Sequence, residues 1–297
     1  MNAKDLWSAL MPYNLTHVRH DSAICLVPGL FRTVKRGDYK KKKLHLVYEF
    51  GPKEKIEFLG FEPLGAEDLL VLQGLIAMAG KNKTVITSDA KGKRGLQLRS
   101  EMELKGSALD ALLSIIQCSF YDLAKEIGKN TNSGSVLKSL KASIKRLWAV
   151  SIVVTSHDNW SGFRILSGIK VNDKTNQLWV ALNPRVTEAI FGHRPHTRIN
   201  MEEIRKLNTG PARILHQRLC AIISQGETRK ILPETLVSYI WPEPAVGSTL
   251  RMRRQTLKKA LTEIAATGSW TVKEGCQITR VGEFKKKVVK KVKTKKA

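Results

Sequence analysis

The chain has 297 residues, 42% of them hydrophobic, enough to fill one large core or two ordinary ones. Lys and Arg number 51 against 26 Asp and Glu, a formal net charge of +25. Self-repulsion of that size disfavours a compact state without a polyanion nearby, so nucleic acid is the first partner expected and an anionic membrane surface the second.

No apolar run is long enough to span a bilayer, and Met1–Leu10, with Lys4 and Asp5, lacks the apolar stretch of a secretory leader. A cytoplasmic protein without membrane attachment is expected. Cys25, Cys118, Cys220 and Cys276 are scattered and form no C-x-x-C pair, which suits reduced thiols and neither a disulfide frame nor a zinc site.

Along the chain, a basic stretch from Lys35 to Lys43 precedes Leu44–Phe50 and Lys55–Leu59, which read as a β-hairpin around Gly51-Pro52. Ala66–Ala79 is apolar at helical spacing and stops at Gly80. Thr84–Thr87 and Leu96–Arg99 read as short strands, and Leu109–Ile116 fits either helix or strand. Helices follow at Tyr121–Ile127 and Ser135–Trp148. After them come a hairpin of Ser151–Thr155 with Gly162–Leu166, a strand at Leu178–Leu182 and a short helix at Pro184–Phe191. The second half restates the plan. Asn200 caps a helix beginning at Met201, helices follow at Pro211–Ile223, Pro233–Ile240 and Ser248–Ala266, and Trp270–Glu274 with Gln277–Arg280 form a final hairpin. Three helices and a two-stranded wing, twice over, predict an α+β protein with tandem winged-helix domains. The expected divisions are 1–195, including an N-terminal arm, then 196–282. The Lys-rich tail, 283–297, has too little apolar content to fold alone.

A shift of 113 residues superimposes the two helix pairs without a gap. It carries Leu123 and Ile127 onto Leu236 and Ile240, Gly134-Ser135 onto Gly247-Ser248, Leu137 onto Leu250 and Ile144 onto Leu257. Lys138, Lys141 and Lys145 fall on Arg251, Arg254 and Lys258. At about 100° per residue the three lysines share an arc of about 60°, beside an apolar arc of about 100° made by Leu137, Leu140, Ile144, Leu147 and Trp148. Such a helix can bury one arc and present the other to a duplex. Ser135 and Ser248 are expected as N-caps pointing into major grooves. The arginines of the second copy are expected to read bases and the lysines of the first to hold phosphates. Arg253 is a misfit on the arc that should be buried, placed where it can snorkel to a phosphate. Arg164, Lys273 and Arg280, in or near the wings, are further candidate phosphate contacts. Lys40–Lys43 suits either a backbone contact or a solvated turn, and the tail suits a non-specific anchor.

Several strings go beyond patterning: HVRHD (17–21), VPGLFR (27–32), EPLGAEDL (62–69), LAKEIG (123–128), RLWAVSI (146–152), VALNP (180–184), LHQRLC (215–220) and GSTLRMRRQ (247–255). In these the chain resembles the RepC family, the iteron-binding replication initiators of IncQ-type broad-host-range plasmids. The resemblance runs in order from about Thr16 to Arg280, while the first residues and the Lys-rich tail depart from it. It implies a protein that binds repeated sites in a plasmid origin as double-stranded DNA and opens an adjacent AT-rich region. It also implies work with a plasmid-encoded helicase and primase, with homodimerisation open.

Catalytic chemistry is not expected. Gly80–Thr84 lacks the upstream Gly and the Lys-Ser/Thr pair of a P-loop. His17 with His20, and His193 with His196, lack the further ligands a metal needs. Tyr121 and Tyr239 read as packing residues, not nicking nucleophiles, and Cys25 with His20 makes no credible dyad. No cofactor, metal or enzymatic activity is therefore expected. The rival readings are a winged-helix transcriptional repressor, a strand-nicking enzyme and an RNA-binding protein, the last disfavoured by an aromatic content of 6% and no stacking motif.

Overall fold

The computed structural model describes residues 17–34, 37–52, 54–82, 85–86, 113–131, 133–157 and 159–282. The strand expected at Leu96–Arg99, the first residues of the 109–116 segment, and the Lys-rich tail lie outside them.

In chain order the first elements are β1 (His17–Asp21), α1 (Ser22–Leu26), β2 (Leu44–Phe50), β3 (Glu54–Gly60), α2 (Ala66–Asn82), β4 (Val85–Ile86) and β5 (Leu113–Ser119). The helix pair α3 (Phe120–Glu126) and α4 (Gly134–Ala149) follows, then β6 (Ser151–Ser156), β7 (Asn159–Arg164), β8 (Leu166–Asn172), β9 (Gln177–Leu182) and α5 (Pro184–Phe191). The second half holds β10 (His196–Asn200), α6 (Met201–Lys206), α7 (Gly210–Ile222), β11 (Thr228–Lys230), α8 (Pro233–Ile240), α9 (Gly247–Ala265), β12 (Trp270–Lys273) and β13 (Gln277–Arg280).

Local chemistry sets many of these boundaries. Ser119 opens α3 with a capping box, its hydroxyl accepting from the Asp122 amide while the Asp122 carboxylate accepts from the Ser119 amide. Asn183 caps α5 ahead of Pro184, and Gly192 ends it in the left-handed region at φ 78°. Asn200 caps α6 as its sequence predicts.

Sheet topology gives the repeat a structural form. One sheet runs β4-β5-β9-β8 and another β11-β13-β12. In each, the strand before the helix pair adjoins the last strand of the hairpin after it. The winged-helix units are thus α2, β5, α3, α4 and the β8–β9 wing, then α7, β11, α8, α9 and the β12–β13 wing. The 113-residue shift carries the start of α3 onto that of α8 and the start of α4 onto that of α9.

The hairpin expected as the first wing, Ser151–Thr155 with Gly162–Leu166, is instead β6–β7. It joins a separate sheet of order β2-β3-β6-β7. Tyr121, expected to pack inside, is 55% exposed.

The first helices of the two units pack against each other: α2 lies on α7, α4 lies on α2, and α9 lies on α7. Gly74 of α2 allows the close approach of α3, because a Cβ there would fall 2.4 Å from Cγ2 of Ile127. Between the units, the amide of buried Gln73 donates to Gln217 (3.1 Å), and Glu67 holds Arg213 at 2.8 Å. Arg205 donates to the carbonyl and carboxylate of Glu126. β1 pairs antiparallel with β10. The segment after α1 docks on the turn of the second helix pair: Gly29 (φ 78°) leaves room for Pro242, and the Thr33 amide donates to the Ile240 carbonyl. The buried side chains of both units form one continuous core.

Candidate nucleic-acid interface

In both units the second helix of the pair buries one side. Leu140, Ser143, Ile144 and Leu147 of α4, and Leu257, Ala260, Leu261 and Ile264 of α9, are buried. Arg146 fixes α4 on α2 through a bidentate contact with fully buried Asp68 (2.8–3.1 Å) and lies over the Tyr39 ring.

The basic residues of the two copies occupy matching environments. Lys138 and Arg251 are exposed, as are Lys145 and Lys258. The middle member of each set is held by a carboxylate. Lys141 meets Asp173, in the β8–β9 turn, at 2.7 Å and lies over Phe120. Arg254 meets Glu234, at the start of α8, at 2.7 Å. The hydrogen bond from Lys141 holds the Asp173 carboxyl below the usual carboxylate range. A backbone hydrogen bond, then Arg254, does the same for Glu234.

Four expectations need correction. Ser135 and Ser248 are not N-caps: the helices begin one residue earlier, Ser133 and Val246 hold the cap positions, and neither makes a side-chain cap bond. Both serines are exposed in the first turn, beside amides that no side chain caps. Arg253 turns inward. It occupies the position equivalent to buried Leu140, its guanidinium over the Trp241 ring (5.6 Å) and donating to the Glu243 carbonyl. Trp241 corresponds to Gly128 in the first copy, so an arginine with its guanidinium over an aromatic ring replaces a leucine there. Arg164 lies on β7, outside the wing, 4.1 Å from the Trp148 ring centroid. Arg280 is 4% exposed and donates to the carbonyls of Cys220, Ile223 and Arg198 at 3.2, 3.4 and 2.8 Å, so it cannot reach a phosphate.

Arg280→Ala is accordingly expected to cost about 2–4 kcal/mol of stability, because it strands buried carbonyls. Urea denaturation should register that loss, with DNA affinity per folded molecule unchanged. Weakened binding at unaltered stability would return Arg280 to the interface.

Lys273 is exposed at the end of β12, and Lys174 at the tip of the first wing. Lys174 is legible only once β8 and β9 are seen as a hairpin, whose turn signature is Asn172-Asp173-Lys174. Of the Lys40–Lys43 run, Lys42 pairs with Glu243 (3.3 Å), which also receives Arg32 (3.1 Å). His20 is fully buried in β1, where burial lowers its pKa to about 4. Among the described residues no three His, Cys, Asp or Glu side chains gather as metal ligands, and no helix is long and apolar enough to cross a membrane.

A sequence-family model described as Replication protein C (RepC) matches residues 12–281. Among solved structures, the crystal structure of RctB domains 2-3 aligns with a TM-score of 0.54 at 12% identity, over 86% of this chain and 94% of that one. A selenomethionine derivative of the same RctB domains gives 0.54 at 12% identity, over 84% and 95%. The WH1 domain of a replication protein isolated from a multiple sclerosis patient aligns over 48% of this chain and 86% of that one, at 14% identity and a TM-score of 0.29. No curated protein matches in sequence.

Proposed function

The chain belongs to the Replication protein C (RepC) family of replication initiators, and from that premise we propose that it binds iteron repeats of a plasmid origin as double-stranded DNA, with α4 and α9 in successive major grooves. One observation carries the reading. At equivalent positions of two winged-helix units, Lys138 with Arg251 and Lys145 with Lys258 face solvent on helices whose opposite sides are buried. The stack α4–α2–α7–α9 supports it. Packed helices lie about 8–10 Å apart, so three steps separate the recognition helices by up to about 30 Å, close to the roughly 34 Å between major grooves one turn apart. Exposed first-turn serines and uncapped amides suit contact with phosphate.

The protein bends or strains the origin so that an adjacent AT-rich region opens, and a plasmid-encoded helicase and primase enter there. It performs no bond chemistry of its own, so supercoiled origin DNA incubated with it and Mg²⁺ remains unnicked.

Fluorescence anisotropy on iteron and scrambled duplexes at fixed salt tests the assignment. Arg251→Ala should weaken iteron binding by about 1–3 kcal/mol and scrambled binding by much less. Lys138→Ala should weaken both alike and reduce the salt slope by about one. Equal losses on both duplexes for Arg251→Ala would make it a phosphate contact and remove the base-reading role.

A further inference from the structure

The β2-β3-β6-β7 sheet is not part of either winged-helix unit, and one of its faces is open. Its inner face carries Leu44, Ile56, Phe58 and Ile152, all buried. The outer face is laid out by the register. One row holds His45, Leu59, Ser151 and Arg164, the next Val47, Glu57, Val153 and Gly162, and the third Glu49, Lys55, Thr155 and Trp160.

Trp160, Gly162 and Arg164 therefore point to the same side of β7, an edge strand. Trp160 is 75% exposed, an unusual setting for a large aromatic ring. Arg164 lies over Trp148, itself partly exposed at the end of α4. The two platforms, Trp160 and the Arg164–Trp148 pair, sit four residues apart, about 13 Å along the strand. Between them Gly162 leaves bare backbone: a Cβ there would meet only the Ile152 carbonyl oxygen, at 3.9 Å. The two platforms thus stand on one open face with bare backbone between them, a spacing that accommodates two or three stacked bases.

We infer that this sheet face binds single-stranded DNA, with bases stacked between Trp160 and the Arg164–Trp148 pair. Duplex DNA presents no free base faces to such platforms. A protein partner is less well matched, because Glu57, paired with His45, lies between Val47 and Val153 and next to Leu59, and Glu49 opposite Lys55 borders them, so the apolar side chains form no contiguous patch. Cations flank the platforms. Arg164 belongs to one of them, and exposed Lys145 sits one helical turn before Trp148 on the recognition helix itself. A strand separated from a duplex held by α4 would thus meet the platforms directly. This site goes beyond the duplex-binding function, and its stacking residues, Trp160, Arg164 and Trp148, are not among those that face the duplex.

The test is anisotropy of a fluorescein-labelled oligothymidylate of about twelve nucleotides with the full chain at physiological salt, run beside an iteron duplex. Trp160→Ala should weaken oligothymidylate binding about tenfold, and Trp160→Phe should restore most of it, since stacking on any aromatic face suffices. Duplex affinity should stay within about twofold. Unchanged oligothymidylate affinity in Trp160→Ala would overturn the inference. So would a parallel loss on the duplex, or loss of helicase capture with single-strand binding intact. Failure of the duplex reading looks different: Lys138→Ala and Arg251→Ala would leave duplex binding untouched whatever Trp160 does.

Discussion

Glu203→Ala is expected to destabilise the protein by about 3–5 kcal/mol, the cost of leaving a buried charge without its partner. The Glu203 carboxylate on α6 accepts from His216 Nε2 of α7 at 2.6 Å and from Trp270 Nε1 of β12 at 2.8 Å. His216 is fully buried, and Glu203 and Trp270 nearly so. One carboxylate thus ties the first helix of the second unit to its wing. Burial opposes the charge on His216, but the Cys220 sulfur and Glu203 outweigh it, pushing its pKa up to about 9. Burial likewise opposes the charge on Glu203, and hydrogen bonding to His216, its charge and the bond from Trp270 bring that pKa down to about 2.

The pH dependence follows from these directions. The His216 contribution is complete below its ordinary value of 6.5 and is lost as pH rises through about 9. The Glu203 contribution is complete above its ordinary 4.5 and is lost as pH falls toward 2. The stability gap between wild type and Glu203→Ala should therefore be widest between pH 4.5 and 6.5 and narrow in alkali. Urea denaturation at pH 6 and pH 9.5 measures it, and an equal gap at both would mean that His216 is neutral in the folded protein.

The helix pairs were legible because amphipathic spacing and a shared offset are local properties. The 113-residue shift places Leu123 on Leu236 and Ile144 on Leu257, and all four are buried. What stayed hidden depends on partners distant in sequence. HVRHD gives no strand signal, since His20 and Asp21 are polar, yet β1 is paired with β10 and Asp21 is held by Arg185 at 3.1 Å. Two hairpins follow α4, and nothing local says which adjoins β5; the hairpin nearer in sequence joins another sheet, and β8–β9 forms the wing. Arg253 reads as a misfit that snorkels out from the buried arc and Arg280 as a surface cation, because burial of an arginine is decided by the ring and carbonyls it meets: Trp241 and Glu243 for one, Trp270, Cys220 and Arg198 for the other. An aromatic content of 6% is an average over the chain and does not tell that Trp148 and Trp160 are both exposed.

Inserting five base pairs between the two half-sites of an iteron is expected to weaken binding by about 100-fold or more. The second groove then turns through about half a helical turn to the far side of the duplex. A protein with flexibly linked units would recover much of the loss, because its second unit could follow. Here the units are locked at several independent points: the Gln73–Gln217 bond, the Arg213–Glu67 and Arg205–Glu126 pairs, and the Gly29–Thr33 segment seated on the turn before α9. Bending that frame would break buried contacts at more than one of them, so the second recognition helix should simply disengage, and the advantage of two linked sites, worth about 10²–10⁴ in affinity, disappears. A ten-base-pair insertion restores the face of the helix but adds about 34 Å of separation, which helices packed in a row cannot span. Both insertions should therefore bind like a single half-site. Recovery at ten base pairs would reveal units that move apart, and tolerance of five within about threefold would mean that only one recognition helix engages DNA.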